Sequence, residues 1–185
     1  HTGGSPLGLA FDRDNNLLVA DAYLGLLKIS PDGTVTPLTN QVDGTETDQP
    51  SIDYADDLAI AGDGKIYFTD ASTKFGAKAY GGPFEASILD IIEHGGHGRL
   101  LVYNPVDQST TVVMEGLNFA NGVAMAEDSS YLLVVETGGS QRAKLDRGWV
   151  TVIGNSALQT DARTKGAARL VPLEGKSSDT LARGY

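Results

Sequence analysis

The chain has 185 residues, 41 % hydrophobic and 21 % charged, with a net charge of -10 and no cysteine. That is enough for one ordinary soluble domain with a real core, while the acidic balance excludes a nucleic-acid footprint, which needs a basic face. Zero cysteines exclude disulfides, thiolate metal sites and cysteine nucleophiles, and leave the compartment open.

No apolar run approaches the roughly 20 residues that cross a bilayer, so no membrane span is expected. The start, HTGGSPLGLAFD, has neither a basic n-region nor an h-region, so no signal peptide is visible. The first predicted unit is PLGLAFDRDNNLLVAD (6–21), two short apolar strands around an Asp14-Asn15 turn. A hairpin, LLKISPDGTVTPLT (26–39), follows and turns at Pro31-Asp32-Gly33. The second unit, ADDLAIAGDGKIYFTD (55–70), repeats the first: a small pre-strand pair, a strand, a turn at Asp63-Gly64, then a strand ending in an acid.

An insertion, 71–98, then interrupts the pattern. Phe84, Ile88, Ile91 and Ile92 recur there at helical spacing, with Pro83 suited to a first turn and Gly95 to a C-terminal cap. The spacing predicts a short amphipathic helix, about 84–94, lying over one end of the molecule. The hairpin RLLVYNPVDQSTTVVM (99–114) completes the second unit, and ANGVAMAEDSSYLLVVE (120–136) opens a third with one extra residue in its turn. A weaker hairpin, RAKLDRGWVTVIG (142–154), follows it. The end, 155–185, carries 5 Lys/Arg against 3 Asp/Glu, whereas 1–154 carries 9 against 21, so it is set apart as a divergent basic tail.

Four short strands per unit, repeated at intervals of 49 and about 65 residues, predict an all-β fold. The architecture expected is a partial β-propeller of about three four-stranded blades, at about 6–45, 55–117 and 120–154. Three blades do not close a ring. The open faces therefore require cover, and a homo-oligomer, such as a twofold six-bladed ring, is one way to supply it.

In a propeller the innermost strand of each blade lines the central channel. In register, the positions entering those strands are Leu7-Gly8, Asp56-Asp57 and Asn121-Gly122. Oxygen donors from adjacent blades converging on one axis suit a hard cation such as calcium, which takes 6 to 8 oxygens. Asp21, Asp70 and Glu136, at the ends of the second strands, are assigned instead to local hydrogen bonds with backbone N–H groups.

PLGLAFD, VADAYLGLLKI, DDLAI, IYFTDAS, ILDIIE, HGRLLVYNP, GLNFANGVAM and LLVVET together resemble the strictosidine synthase-like family of six-bladed propellers. Its wider group includes calcium-dependent phosphotriesterases, gluconolactonases and arylesterases. The resemblance runs over about residues 3–137. It implies that Asn121, in the ANG motif, occupies a calcium-ligand position, and that Asp56 stands where relatives often have Asn. Asp57 corresponds to the acid that follows. The resemblance assigns the remaining ligands of the group to blades other than these three, and the catalytic Glu of true strictosidine synthases to a later blade.

His94 and His97 end the inserted helix, where arylesterase-like propellers use histidines for proton transfer, although a histidine at a helix C-terminus also serves the last carbonyls and the dipole. Two functions follow as expectations. The first is a calcium-dependent hydrolase of small esters, lactones or organophosphates, with Asp56 and Asn121 as ligands and Asp57, His94 and His97 as candidate catalytic groups. The second is a non-catalytic, self-associating propeller fragment that acts as a binding or assembly module.

Overall fold

The computed structural model describes residues 2–44, 48–129 and 131–138, together with the strand backbones of 144–145, 148–149 and 167–172. The first sheet is an antiparallel meander of β1 (Pro6–Phe11), β2 (Leu17–Asp21), β3 (Gly25–Ile29) and β4 (Val35–Thr39). The second is β5 (Ala55–Ile60), β6 (Ile66–Asp70), β7 (Gly98–Asn104) and β8 (Ser109–Leu117), with helix α1 (Pro83–Glu93) inserted between β6 and β7. The third contains β9 (Ala120–Met125) and β10 (Tyr131–Glu136). Two-residue strands β11 (Lys144–Leu145) and β12 (Gly148–Trp149) pair with each other, and β13 (Ala167–Pro172) pairs with β10. The molecule is a partial propeller.

The strand beside β10 thus comes from the segment that the sequence sets apart as a tail, not from 142–154. Beyond β11 and β12, the predicted third hairpin lies outside the described residues.

The core forms between the sheets. Leu18, Ala20 and Leu26 of the first sheet pack on Leu58, Ile66, Phe68, Leu101 and Tyr103 of the second. The opposite face of that second sheet, with Ala59, Ala61, Tyr67 and Leu100, packs on Ala120, Val123, Leu132 and Val134 of the third. Both faces of the middle sheet are therefore buried, and every residue of β6 is buried. That is why IYFTD reads as a continuous run of β-branched and aromatic residues. Complete burial of Phe68 alone removes enough apolar surface to stabilise the fold by about 2–3 kcal/mol.

The repeat extends to individual hydrogen bonds. Asp12 N donates to Asn16 O, Ala61 N to Lys65 O and Ala126 N to Tyr131 O, closing the three equivalent turns at 2.9, 2.9 and 3.0 Å. Each turn needs one residue at positive φ, and Asn15 (60°), Gly64 (90°) and Ser129 (54°) supply it.

Helix α1 begins with Pro83 at its first turn, as expected, but its C-terminal cap is His94 rather than Gly95. His94 takes the left-handed conformation, and its N–H donates to Asp90 O at 2.8 Å. The larger difference is orientation. Ala86 and Asp90 are the buried residues of the helix, and Phe84, Ile88, Ile91 and Ile92 face away from the sheets.

Candidate functional site

Each inner strand bulges at its start. Pairing slips by one residue between Pro6 and Gly8 in β1 and between Ala55 and Leu58 in β5. In the third sheet, Val134 pairs with Val123 but Glu136 pairs with Ala120, which leaves one extra residue at Asn121-Gly122. A bulge turns side chains out of the normal alternation. Here it releases Leu7, Asp56-Asp57 and Asn121-Gly122 from their own sheets at the same end of three neighbouring blades. They line one open depression of about 490 Å³, together with Pro6, Gly8 and Val135.

Close approach of the strands requires a glycine on the first blade. A Cβ on Gly8 would stand 2.6 Å from Asp57 Cα and 2.7 Å from the Asp56 carbonyl oxygen. The first and second inner strands therefore touch backbone to backbone at the depression.

The two carboxylates have different environments. Asp57 Oδ1 accepts the N–H of Leu58 at 2.9 Å, and Oδ2 accepts the N–H of Val123, from the next blade, at 2.9 Å. Its own N–H donates to Thr69 Oγ1 at 3.0 Å, and the Thr69 hydroxyl donates to Asn121 O at 2.6 Å. Asp57 and Thr69 together tie β5 and β6 to β9. Among the described residues, no hydrogen bond or ion pair engages the Asp56 carboxylate. Burial, with the Asp57 charge second, pushes its pKa up to about 7.

Asn121 donates through Nδ2 to Thr137 Oγ1 at 3.1 Å, which leaves its side-chain carbonyl without a partner among the described residues. One carboxylate and one amide oxygen are hard donors of the kind calcium takes, so these residues fit part of such a site. They do not make a full shell. Among the described residues, no group of three or more His, Cys, Asp or Glu side chains is gathered to hold a metal.

His94 and His97 are not brought to the depression. His94 caps α1, while His97 packs edge-on against Phe75, with ring centroids 6.1 Å apart, and places Nε2 3.5 Å from Glu93 Oε1. The acids closing each second strand do local work, as the sequence predicts. Asp21 accepts the N–H of Ser5 at 2.9 Å, Asp70 that of Tyr54 at 3.0 Å and Glu136 that of Asn118 at 2.7 Å. Each therefore pins the entry to its own blade's inner strand. Reading the sequence missed Thr69, a buried hydroxyl in the middle of an apolar strand. The signal lay in position, because Ala20 stands there in the first blade.

A family model described as strictosidine synthase matches residues 56–151. Strictosidine synthase-like 6 of Arabidopsis thaliana is 40 % identical over 138 residues, covering 74 % of this chain and 34 % of that protein. The adipocyte plasma membrane-associated protein of Salmo salar is 35 % identical over 159 residues, covering 85 % of this chain and 35 % of that protein. The chain thus spans about a third of the length of these curated relatives. Among solved structures, a gluconolactonase of Xanthomonas campestris superimposes with a TM-score of 0.54 at 22 % identity, over 71 % of this chain and 40 % of that one. At that identity the likeness shows the fold alone.

Proposed function

The chain belongs to the strictosidine synthase family, and on that premise we propose that its blades supply part of a calcium-dependent hydrolytic centre for small esters, lactones or organophosphates. Asp56 and Asn121 are its cation ligands, and Asp57 holds their strands in register. The observation that carries this reading is the trio of matched bulges, which bring a carboxylate and an amide oxygen, each without a partner among the described residues, from adjacent blades into one depression. A structural role for the depression alone would not need a carboxylate that has no partner among the described residues.

Calcium bound at such a site polarises a carbonyl or phosphoryl oxygen and stabilises the charge that develops on it. The chain's own contribution is to position. Asp57 and Thr69 fix the separation of β5 from β9, and Gly8 brings β1 against them. Proton transfer by His94 or His97 requires a substrate that extends from the depression to the C-terminal end of α1. The test is hydrolysis of aryl esters and lactones by the purified chain with calcium and with chelator. Turnover that disappears with chelator and in Asp56→Ala and Asn121→Ala supports the reading. Turnover indifferent to all three contradicts it.

A second reading rests on the outer face of the first blade. Leu9 and Phe11 are 59 % and 70 % exposed, whereas Leu58, the equivalent of Leu9 in the second blade, is only 5 % exposed because the first blade covers it. By that internal equivalence, the face of β1 is shaped to receive another blade. A second copy of the chain, completing a ring as a homodimer without catalysis, meets the requirement. Light scattering that finds only monomer at high concentration contradicts it.

A further inference from the structure

Asn121 opens the one Asn-Gly step in the sequence. Neither a left-handed backbone nor a close approach explains its glycine. Gly122 does not take positive φ, and a Cβ built on it would meet Val135 Cβ at 3.6 Å, an ordinary contact. At Gly8, across the same depression, a Cβ would collide with the backbone of the second blade. The fold thus demands glycine at the first blade's entry and would accept alanine at the third's.

Glycine does change the reactivity of the residue before it. A backbone nitrogen attacks the side-chain carbonyl of a preceding asparagine most readily when it carries no side chain to hinder the approach or restrict the backbone. Regular strands suppress this reaction, because the ladder keeps the chain extended and holds its N–H groups. Here the ladder is broken. Val135 stands opposite both Asn121 and Gly122, so one of the two lies outside the pairing. The next N–H, of Val123, donates to Asp57 Oδ2 instead of to β10. Both residues are half-buried and border the open depression, so water reaches them.

Two hydroxyls are placed where the reaction needs them. Thr69 Oγ1 donates to Asn121 O at 2.6 Å, on the peptide whose nitrogen must give up its proton. A donor there stabilises the negative charge that develops on that peptide. Asn121 Nδ2 lies 3.1 Å from Thr137 Oγ1, to which it donates. Once Nδ2 becomes an amine on a tetrahedral carbon, the same hydroxyl is in reach to give it a proton.

We infer that Asn121-Gly122 is a self-modification site, where the side-chain amide converts spontaneously to a carboxylate. Gly122 N bonds to Asn121 Cγ and loses its proton to water. The Cγ–Nδ2 bond breaks, and Nδ2 leaves as ammonia with a proton passed from water through the Thr137 hydroxyl. Water then opens the cyclic imide at either carbonyl, leaving an aspartyl or an isoaspartyl residue. No oxidant, reductant or cofactor enters. The product adds a negative charge beside Asp56 and Asp57, so the depression changes with the age of the chain. Neither calcium nor a substrate takes part, so the conversion stands apart from the hydrolytic reading.

The test is incubation of the purified, folded chain at pH 8 with chelator, followed by mass spectrometry of tryptic peptide 100–142 against an unincubated sample. That peptide holds Asn104, Asn118 and Asn121. Position 121 should gain one dalton and yield both isomers. Asn104 is an internal control, because Pro105 has no N–H to attack with, and Asn118, before Phe119, is a hindered one. Gly122→Ala should melt within a few degrees of wild type and convert at least tenfold more slowly. Thr69→Val should slow the reaction several-fold, whereas Thr69→Ser should not. A purely structural role for Thr69 would have the opposite sign, since loosening the strand speeds cyclisation. No gain at 121 beyond that at Asn118, equal rates in Gly122→Ala, or conversion confined to chain unfolded in urea would overturn the inference.

Discussion

Asp57 gives both carboxylate oxygens to backbone donors, one in its own strand and one in the next blade. Asp57→Ala removes both acceptors and leaves two partly buried N–H groups unpaired, so it should cost about 2–4 kcal/mol of stability. Asp57→Asn keeps one acceptor and should cost about half as much. Denaturant unfolding of both variants checks this, and a loss below about 0.5 kcal/mol for the alanine would remove the strut. Asp56 behaves differently because its oxygens meet no donor among the described residues. Its pKa is raised in the folded chain to about 7, so ionisation is harder there than in the unfolded chain. Stability should therefore fall as pH rises from about 4 to about 7, by about 2 kcal/mol once solvent screening at the depression is counted. Asp56→Asn should flatten that slope. The adjacent acids were plain in the sequence, but their division of labour was not. It depends on which oxygen meets an N–H from a strand 66 residues away.

At the scale of the element, one carboxylate per blade pins the entry to its own inner strand, and the second blade adds a clamp. Arg99 donates to Asp70 Oδ2 at 2.9 Å and reaches the carbonyls of Gln49 and Ser51, so β7 also holds the linker between blades. The pair is buried on both sides. Arg99→Met strands a buried carboxylate and should destabilise by about 3–5 kcal/mol, while Arg99→Met/Asp70→Leu should recover a large part of that loss. If thermal unfolding finds the double variant as unstable as the single one, the ion pair is not what Arg99 supplies. Elements of this kind were legible because strand, turn and closing acid are local patterns. The face of α1 was not. A 3.6-residue period reports that a stripe exists but not which side meets the sheets, and the buried face turned out to be Ala86 and Asp90. The bulges were hidden for a related reason, since a one-residue slip is a relation between two strands rather than a property of either.

For the whole molecule, propeller repetition explains both the site and the exposed flank. Three blades in register place three bulged strand entries at one depression, and the same register leaves the first blade's outer face exposed at Leu9 and Phe11. Leu9→Ser/Phe11→Ser should lower concentration-dependent association by light scattering without lowering the melting temperature by more than a few degrees; unchanged association would free that face of any docking role. The number of blades was readable from spacing. The partner of β10 was not, because β13 comes from a segment with no visible repeat. Asp56 and Asn121 are proposed to act on one shared ion. Calcium titration by calorimetry at pH 6 and pH 8 tests it most directly, because a proton on a carboxyl with a pKa of about 7 competes with the cation. Binding should tighten by about tenfold between the two values, the pH dependence should vanish in Asp56→Asn, and the affinity should drop in Asp56→Ala. Absence of calcium heat at either pH, or binding unchanged in Asp56→Ala and Asn121→Ala, would contradict it.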